Sequence, residues 1–202
     1  MKSRLLAAGL VAGFLTITPA VADDRSDCAQ SDVPSVIISS CGHLIADEKE
    51  TAEVKAIAYA NRGTAYQKTA DFDAAIADYT AAIKLNPKLA RAYFNRGVGM
   101  YRKKETKNAI ADFSEAIRLD PKDPEPFVNR AIVQFELGQY APSIADMSSA
   151  IRLSPKMPLL FLYRGKIYLA QGDAKRAAAD FRHVLELDPT DATAKVLLKD
   201  LE

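Results

Sequence analysis

Tyr59-Ala60-Asn61-Arg62-Gly63, then Ala75-Ile76-Ala77-Asp78-Tyr79, then Ala82-Ile83-Lys84-Leu85-Asn86-Pro87: these three stretches set the phase of a unit that the chain states four times. The closing proline returns as Pro121, Pro155 and Pro189, 34 residues further on each time. Ala82-Ile83-Lys84-Leu85 is answered by Ala116-Ile117-Arg118-Leu119, Ala150-Ile151-Arg152-Leu153 and Val184-Leu185-Glu186-Leu187. A fixed period of this length means stacked supersecondary units, not one closed core.

Counting back from the prolines gives units 56–89, 90–123, 124–157 and 158–191. Apolar residues fall at unit positions 4, 8 and 11, again at 20, 24, 27 and 30, with a break between. That spacing predicts two helices folded back on each other. Position 8 holds Gly63, Gly97, Ala131 and Gly165, and position 20 holds Ala75, Ala109, Ser143 and Ala177. Small residues at facing positions let helix axes approach, while Tyr59, Tyr93, Phe127 and Phe161 at position 4 fill the space beside them. Each proline ends the second helix and pushes the preceding residue toward extended backbone.

In these residues the chain resembles the tetratricopeptide repeat family. It carries an aromatic at 4, Gly at 8, Tyr66 and Tyr168 at 11, Ala at 20, Tyr79, Phe113 and Phe181 at 24, and Pro at 32. The resemblance covers residues 56–191 and implies an all-α fold, a right-handed α-solenoid of four helix pairs that binds a polypeptide in its concave groove. The departures are Met100 and Gln134 at position 11, Met147 at 24, and Arg at 7 where the family prefers Leu. Gly at position 15 is present only as Gly138 and Gly172, so strained or reshaped turns are expected at Ala70 and Lys104.

Both ends of such a stack need covers. Residues 192–202 read as an amphipathic C-terminal capping helix, with Val196, Leu197 and Leu201 against Lys195, Lys199 and Asp200. In the N-terminal segment 23–55, Val33, Ile37, Cys41 and Leu44 share a helical face, which predicts one capping helix over 33–47. Residues 23–32 read as polar and irregular.

Residues 1–22 read as an export signal: Lys2 and Arg4, an apolar run from Leu5 to Ile17, and a small-residue cleavage site ending at Ala22. A retained membrane anchor is the alternative. The expectation is export, to a bacterial periplasm, with no stable anchor after cleavage. In an exported chain Cys28 and Cys41 read as a disulfide, the alternative being two unpaired thiols. His43 is their one neighbouring candidate ligand, too few for a closed metal site.

Without Lys2 and Arg4 the 27 basic residues become 25, against 26 acidic ones. A nucleic-acid surface needs a clustered basic excess, which this balance disfavours. His43 and His183 are isolated, and no phosphate loop, nucleophile motif or metal spacing occurs, so the expectation is a protein that is not an enzyme and takes no cofactor or metal.

Two polar sets recur. Arg62 with Asp78, Arg96 with Asp112, Arg130 with Asp146 and Arg164 with Asp180 stand at positions 7 and 23. They read as internal ion pairs, or alternatively as a basic ladder for an acidic ligand. Asn61, Asn95 and Asn129 stand at position 6, with Tyr163 in the last unit. Position 6 lies opposite the packed face, and in tetratricopeptide arrays that face lines the groove. An amide donates and accepts, so a row of them can pair with the backbone of an extended peptide of any sequence; the alternative is a solvated helix face. Arg91, Phe94, Val98, Arg102, Val128, Ile132, Leu162 and Lys166 share the face and suggest a ligand with apolar side chains and mixed charge. The family's two-carboxylate clamp is not expected, because Ala60 and Thr64 replace its Lys and Asn. Self-association, as a subunit of an envelope assembly, is the alternative function.

Overall fold

In the computed structural model residues 23–201 are described, and the expected export signal over 1–22 lies outside them. The described residues form eleven helices: α1 (Asp24–Gln30), α2 (Pro34–Ala46), α3 (Ala52–Lys68), α4 (Phe72–Leu85), α5 (Ala90–Arg102), α6 (Thr106–Leu119), α7 (Glu125–Glu136), α8 (Tyr140–Leu153), α9 (Pro158–Gln171), α10 (Ala174–Leu187) and α11 (Ala192–Lys199). Each helix packs chiefly on its neighbours in the chain, so the fold is an α-solenoid. The pairs α3/α4, α5/α6, α7/α8 and α9/α10 fall within the four counted units, except that α3 starts four residues early, where Thr51 caps it through a hydrogen bond from the Val54 N–H.

Within each unit the turn residue at position 15 takes left-handed backbone: φ is 62° at Ala70, 66° at Lys104, 71° at Gly138 and 88° at Gly172. Gly adopts that region freely and the other two do not, so units 1 and 2 hold their turns against a local strain of about 1 kcal/mol.

The close approach of the two helices is set at position 8. A Cβ on Gly63 would stand 2.9 Å from Tyr79 Cε1, one on Gly97 2.8 Å from Phe113 Cε1, and one on Gly165 2.5 Å from Phe181 Cε1. Tyr79, Phe113 and Phe181 are fully buried, so these rings have no free space to retreat into. Unit 3 has a different solution to the same contact: Ala131 brings the methyl group and Met147 replaces the ring with a flexible chain. Gly165→Ala should therefore destabilise by about 1–3 kcal/mol in urea unfolding, and Gly165→Ala/Phe181→Met should recover most of the loss. Equal losses in the single and double variants would remove this account.

The arginines tie neighbouring units. Nε and Nη2 of Arg96 donate to both carboxylate oxygens of Asp112, at 2.7 and 2.8 Å, while Nη1 donates to Thr80 in the preceding unit at 3.1 Å. Arg130 holds Asp146 and reaches back to Ser114, and Arg164 holds Asp180 and reaches back to Ser148. Each guanidinium thus joins three helices, with three of its five N–H donors used inside the stack. Arg62 grips Asp78 likewise, and its Nη1 faces the N-terminal segment, 3.7 Å from where a Cβ of Gly42 would be.

That last contact explains the N-terminal end, where the sequence expectation needs correction. Residues 23–32 are not irregular: Asp24–Gln30 is helical, with Asp23 accepting from the Arg25 N–H and acidic Asp24 and Asp27 in the first turn. The cover is a helix pair, α1 against α2, not a single helix, and Val33 stands outside α2 and exposed. Gly42 meets Arg62 as Thr80 meets Arg96, so Cys41, one residue earlier, takes the place of the buried ring at position 24. Its partner across the pair is Cys28, in the place of the position 8 glycine, and the two are joined by a disulfide. Bidentate hydrogen bonds from Arg25 to Glu50 and a contact from His43 to Asp24 fix the pair further. At the other end α11 closes the stack, its Leu197 and Leu198 packing on the last core cluster.

Candidate functional site

The first helices of the units, α3, α5, α7 and α9, lie side by side, and the clefts between them run into one another. At units 1 and 2 a cleft of about 600 Å³ is lined by Asn61, Thr64, Gln67, Lys68, Phe72, Arg91, Asn95 and Arg102. The next, about 470 Å³, reaches from Gln67 across Phe94, Asn95, Val98, Val128 and Asn129 to Met157, Leu159 and Tyr163. A third, about 240 Å³, lies between α7 and α9 and has Ile132, Tyr163 and Lys166 in its wall. Shared walls at Gln67, Asn95 and Tyr163 make these one groove, polar and cationic at the N-terminal end and apolar toward the C-terminal end.

Of the residues assigned to the groove from sequence, Leu162 is misplaced. It is 6% exposed and packs in the terminal core cluster with Phe161 and Ile167, the cluster that also takes Leu197 and Leu198. Leu162 stands at position 5 of its unit, as Phe94 does in unit 2, and this position is buried in both. Phe94 is also buried, at 8%, so it forms the groove's floor and not an exposed contact. Its ring lies 5.9 Å from that of Phe113 and has the Arg91 guanidinium 5.0 Å above it.

The three asparagines are not equivalent. Asn61 lines the first cleft, Asn95 borders two clefts with Nδ2 3.5 Å from Thr64 Oγ1, and Asn129 donates to the Glu125 carbonyl of its own helix at 2.9 Å. Asn129 therefore offers a visiting backbone its carbonyl and one remaining N–H. The groove's carboxylates are engaged: Glu125 accepts from Arg91 at 2.6 Å and Glu136 accepts from the Tyr101 hydroxyl at 2.5 Å. Lys68, Arg102 and Lys166 line the clefts with no ion pair among the described residues.

Several lining residues escaped the helical-wheel reading. Phe72 comes from a second helix, and Pro124 and Met157 from the connections between units, so no wheel of the first helices displays them. Gln67 sits at position 12, outside the positions expected on the groove face. Its signal lies in Tyr79, whose ring is core but whose hydroxyl donates to Gln67 Oε1 at 2.9 Å and lies 3.1 Å from Thr64 Oγ1. Burial pushes the Tyr79 phenol up to about 12, against lowering by its contacts with Thr64 and Asn95. A raised folded value means the neutral form is held by the fold. Stability from this group is complete below the unfolded value near 10 and is lost as pH rises toward 12. The expected result is a fall of roughly 2–3 kcal/mol over that window, shallower in Tyr79→Phe by that amount, measured by urea unfolding at stepped pH. Parallel pH curves for the two proteins would contradict it.

The fold and groove define a class: a helix-pair solenoid with a concave face of polypeptide size, and no group of acidic, His or Cys side chains placed to hold a metal among the described residues. The tetratricopeptide repeat profile matches residues 61–124 and 128–192, and the chain belongs to the tetratricopeptide repeat family. Among solved structures it is similar to MamA from Desulfovibrio magneticus RS-1, with a TM-score of 0.73 and 20% identity, covering 86% of this chain and 99% of that one. It is similar also to YrrB, described as a TPR protein with an unusual peptide-binding site, with a TM-score of 0.70 and 23% identity over 81% and 82% of the chains. The first TPR of Spaghetti (RPAP3), solved bound to the HSP90 peptide SRMEEVD, matches with a TM-score of 0.52 and 25% identity over 55% and 89%. A search of curated protein sequences gives no match.

Proposed function

We propose that the protein is a non-enzymatic scaffold that holds a polypeptide segment in the groove formed by α3, α5, α7 and α9. The observation that carries this is the continuous run of clefts that Asn61, Asn95 and Asn129 line, with Phe94, Val98 and Val128 giving the second cleft an apolar floor. Amides supply sequence-tolerant pairing to an extended backbone, and the floor takes its side chains. YrrB, with its peptide-binding site, and the peptide-bound Spaghetti domain are relatives in fold that support the reading.

The setting we propose is the cell envelope, after removal of residues 1–22. The Cys28–Cys41 disulfide supports it, since such bonds persist in oxidising compartments. No helix of the described residues is long and apolar enough to cross a membrane.

The test is selection of binders from a random peptide display library on the full-length chain. Selected peptides should bind Asn61→Ala/Asn95→Ala/Asn129→Ala more weakly by about tenfold or more, with helical circular dichroism unchanged, as expected for the loss of several hydrogen bonds of ordinary strength. Undiminished binding would remove the asparagine mechanism, and a selection without binders would favour self-association, which light scattering reads directly.

A further inference from the structure

The most enclosed part of the groove is the 240 Å³ pocket between α7 and α9, and it owes its depth to the one unit that departs from the repeat. Ile132, Phe135, Tyr163 and Ile167 wall it, and Met147 lies on its floor. Met147 is the position 24 residue of unit 3, where the other units carry the ring that fills the space against a glycine. Neither Tyr79 nor Phe113 borders the clefts at units 1 and 2. An apolar cavity of about 150 Å³ is enough to hold benzene. The pocket therefore has room for a phenyl side chain, over a thioether that makes favourable contacts with ring edges.

Charge narrows the occupant. Lys166 and Glu136 stand at the pocket's rim, and Glu136 accepts from the neutral Tyr101 hydroxyl and keeps its charge. Lys166 has no ion pair among the described residues, and Lys68 and Arg102 further along the groove are in the same condition. Arg91 offsets Glu125, and Lys68, Arg102 and Lys166 outnumber Glu136, so the net charge of the groove's lining is positive.

We infer that this pocket seats an aromatic side chain of the bound polypeptide, in a segment with carboxylates beside the ring. The inference rests on the groove reading above and adds the chemistry of its partner. Tyr163, which breaks the asparagine row, walls both this pocket and the cleft next to it, so the row ends where the anchor enters.

The test uses the full-length chain with methyl-labelled methionine and the probe N-acetyl-aspartyl-phenylalanyl-aspartyl-amide, followed by NMR. The expected result is a saturable shift of the Met147 methyl signal, with the alanyl counterpart weaker by about tenfold or more for want of the buried ring. Ala131→Gly/Met147→Phe gives unit 3 the residues that units 2 and 4 carry at these positions. It should keep the helical signal and lose the preference for the phenylalanyl probe, read by calorimetry. A Met147 signal unmoved at the solubility limit of the probe overturns the inference, as does equal binding of the two probes. Met157 in the neighbouring cleft keeps the failures apart: if it moves while Met147 does not, the groove stands and the anchor pocket falls. If neither moves, the pocket falls and the display selection decides the groove.

Discussion

Asp112→Ala should cost about 3–5 kcal/mol, because it leaves the Arg96 guanidinium in the stack without its anion. The Arg96 side chain is 17% exposed and that of Asp112 9%, so water replaces little of what the carboxylate provides. The pair's hydrogen bonds hold the Arg96 guanidinium above its ordinary value against the opposing effect of burial, so discharging it is no escape. The loss also reaches beyond one unit, since Arg96 still donates to Thr80 of the unit before and its orientation depends on the carboxylate. Urea unfolding should show the loss in full for Asp112→Ala. It should be much smaller for Arg96→Met/Asp112→Leu, because replacing both members of a buried pair by apolar groups of similar volume is often neutral. Equal losses would mean that the site needs its charge and not merely its satisfaction. Arg96→Lys should behave like a broken pair, as one ammonium cannot serve both carboxylate oxygens and Thr80 in the fork geometry.

The same pair shows how far the sequence carried. A 34-residue recurrence of Arg and Asp, sixteen residues apart, suggested that each arginine reaches its own unit's second helix, because a partly buried guanidinium needs a partner. The reach back to Thr80, Ser114 and Ser148 was not legible, since Thr and Ser in a helix more often bond their own backbone, as Thr80 and Ser114 also do here. The repeat likewise predicted helices, phase and the strained turns at Ala70 and Lys104, all of which depend on local chemistry. The groove was legible where one helix supplies it, at Asn61, Asn95 and Val98. It was illegible where the connections between units intrude, at Pro124 and Met157, and at position 5, where neighbouring helices bury Phe94 and Leu162. Tertiary cover is not encoded in a single helix's periodicity.

Cys28→Ala/Cys41→Ala is expected to lose about 3 kcal/mol on the chain-entropy account of a loop this size, and the question is where in the molecule the loss falls. In a solenoid each element contacts only its neighbours, so stability is distributed unit by unit. The helix α1 has seven residues, too few to persist without tertiary support, and it packs on α2 and, more lightly, α3. Without the bond its remaining ties are the Arg25–Glu50 and His43–Asp24 contacts, whose arginine and histidine are largely exposed and which therefore contribute little. Hydrogen exchange should accordingly rise across α1 and α2, and next in α3, where Ala58 and Ala65 share their core cluster, while α7 to α10 keep wild-type protection. Reduction of the native protein should reproduce that map. A uniform rise along the whole chain would show that the disulfide stabilises the array as a single cooperative body, and that the N-terminal pair is not a separable cover.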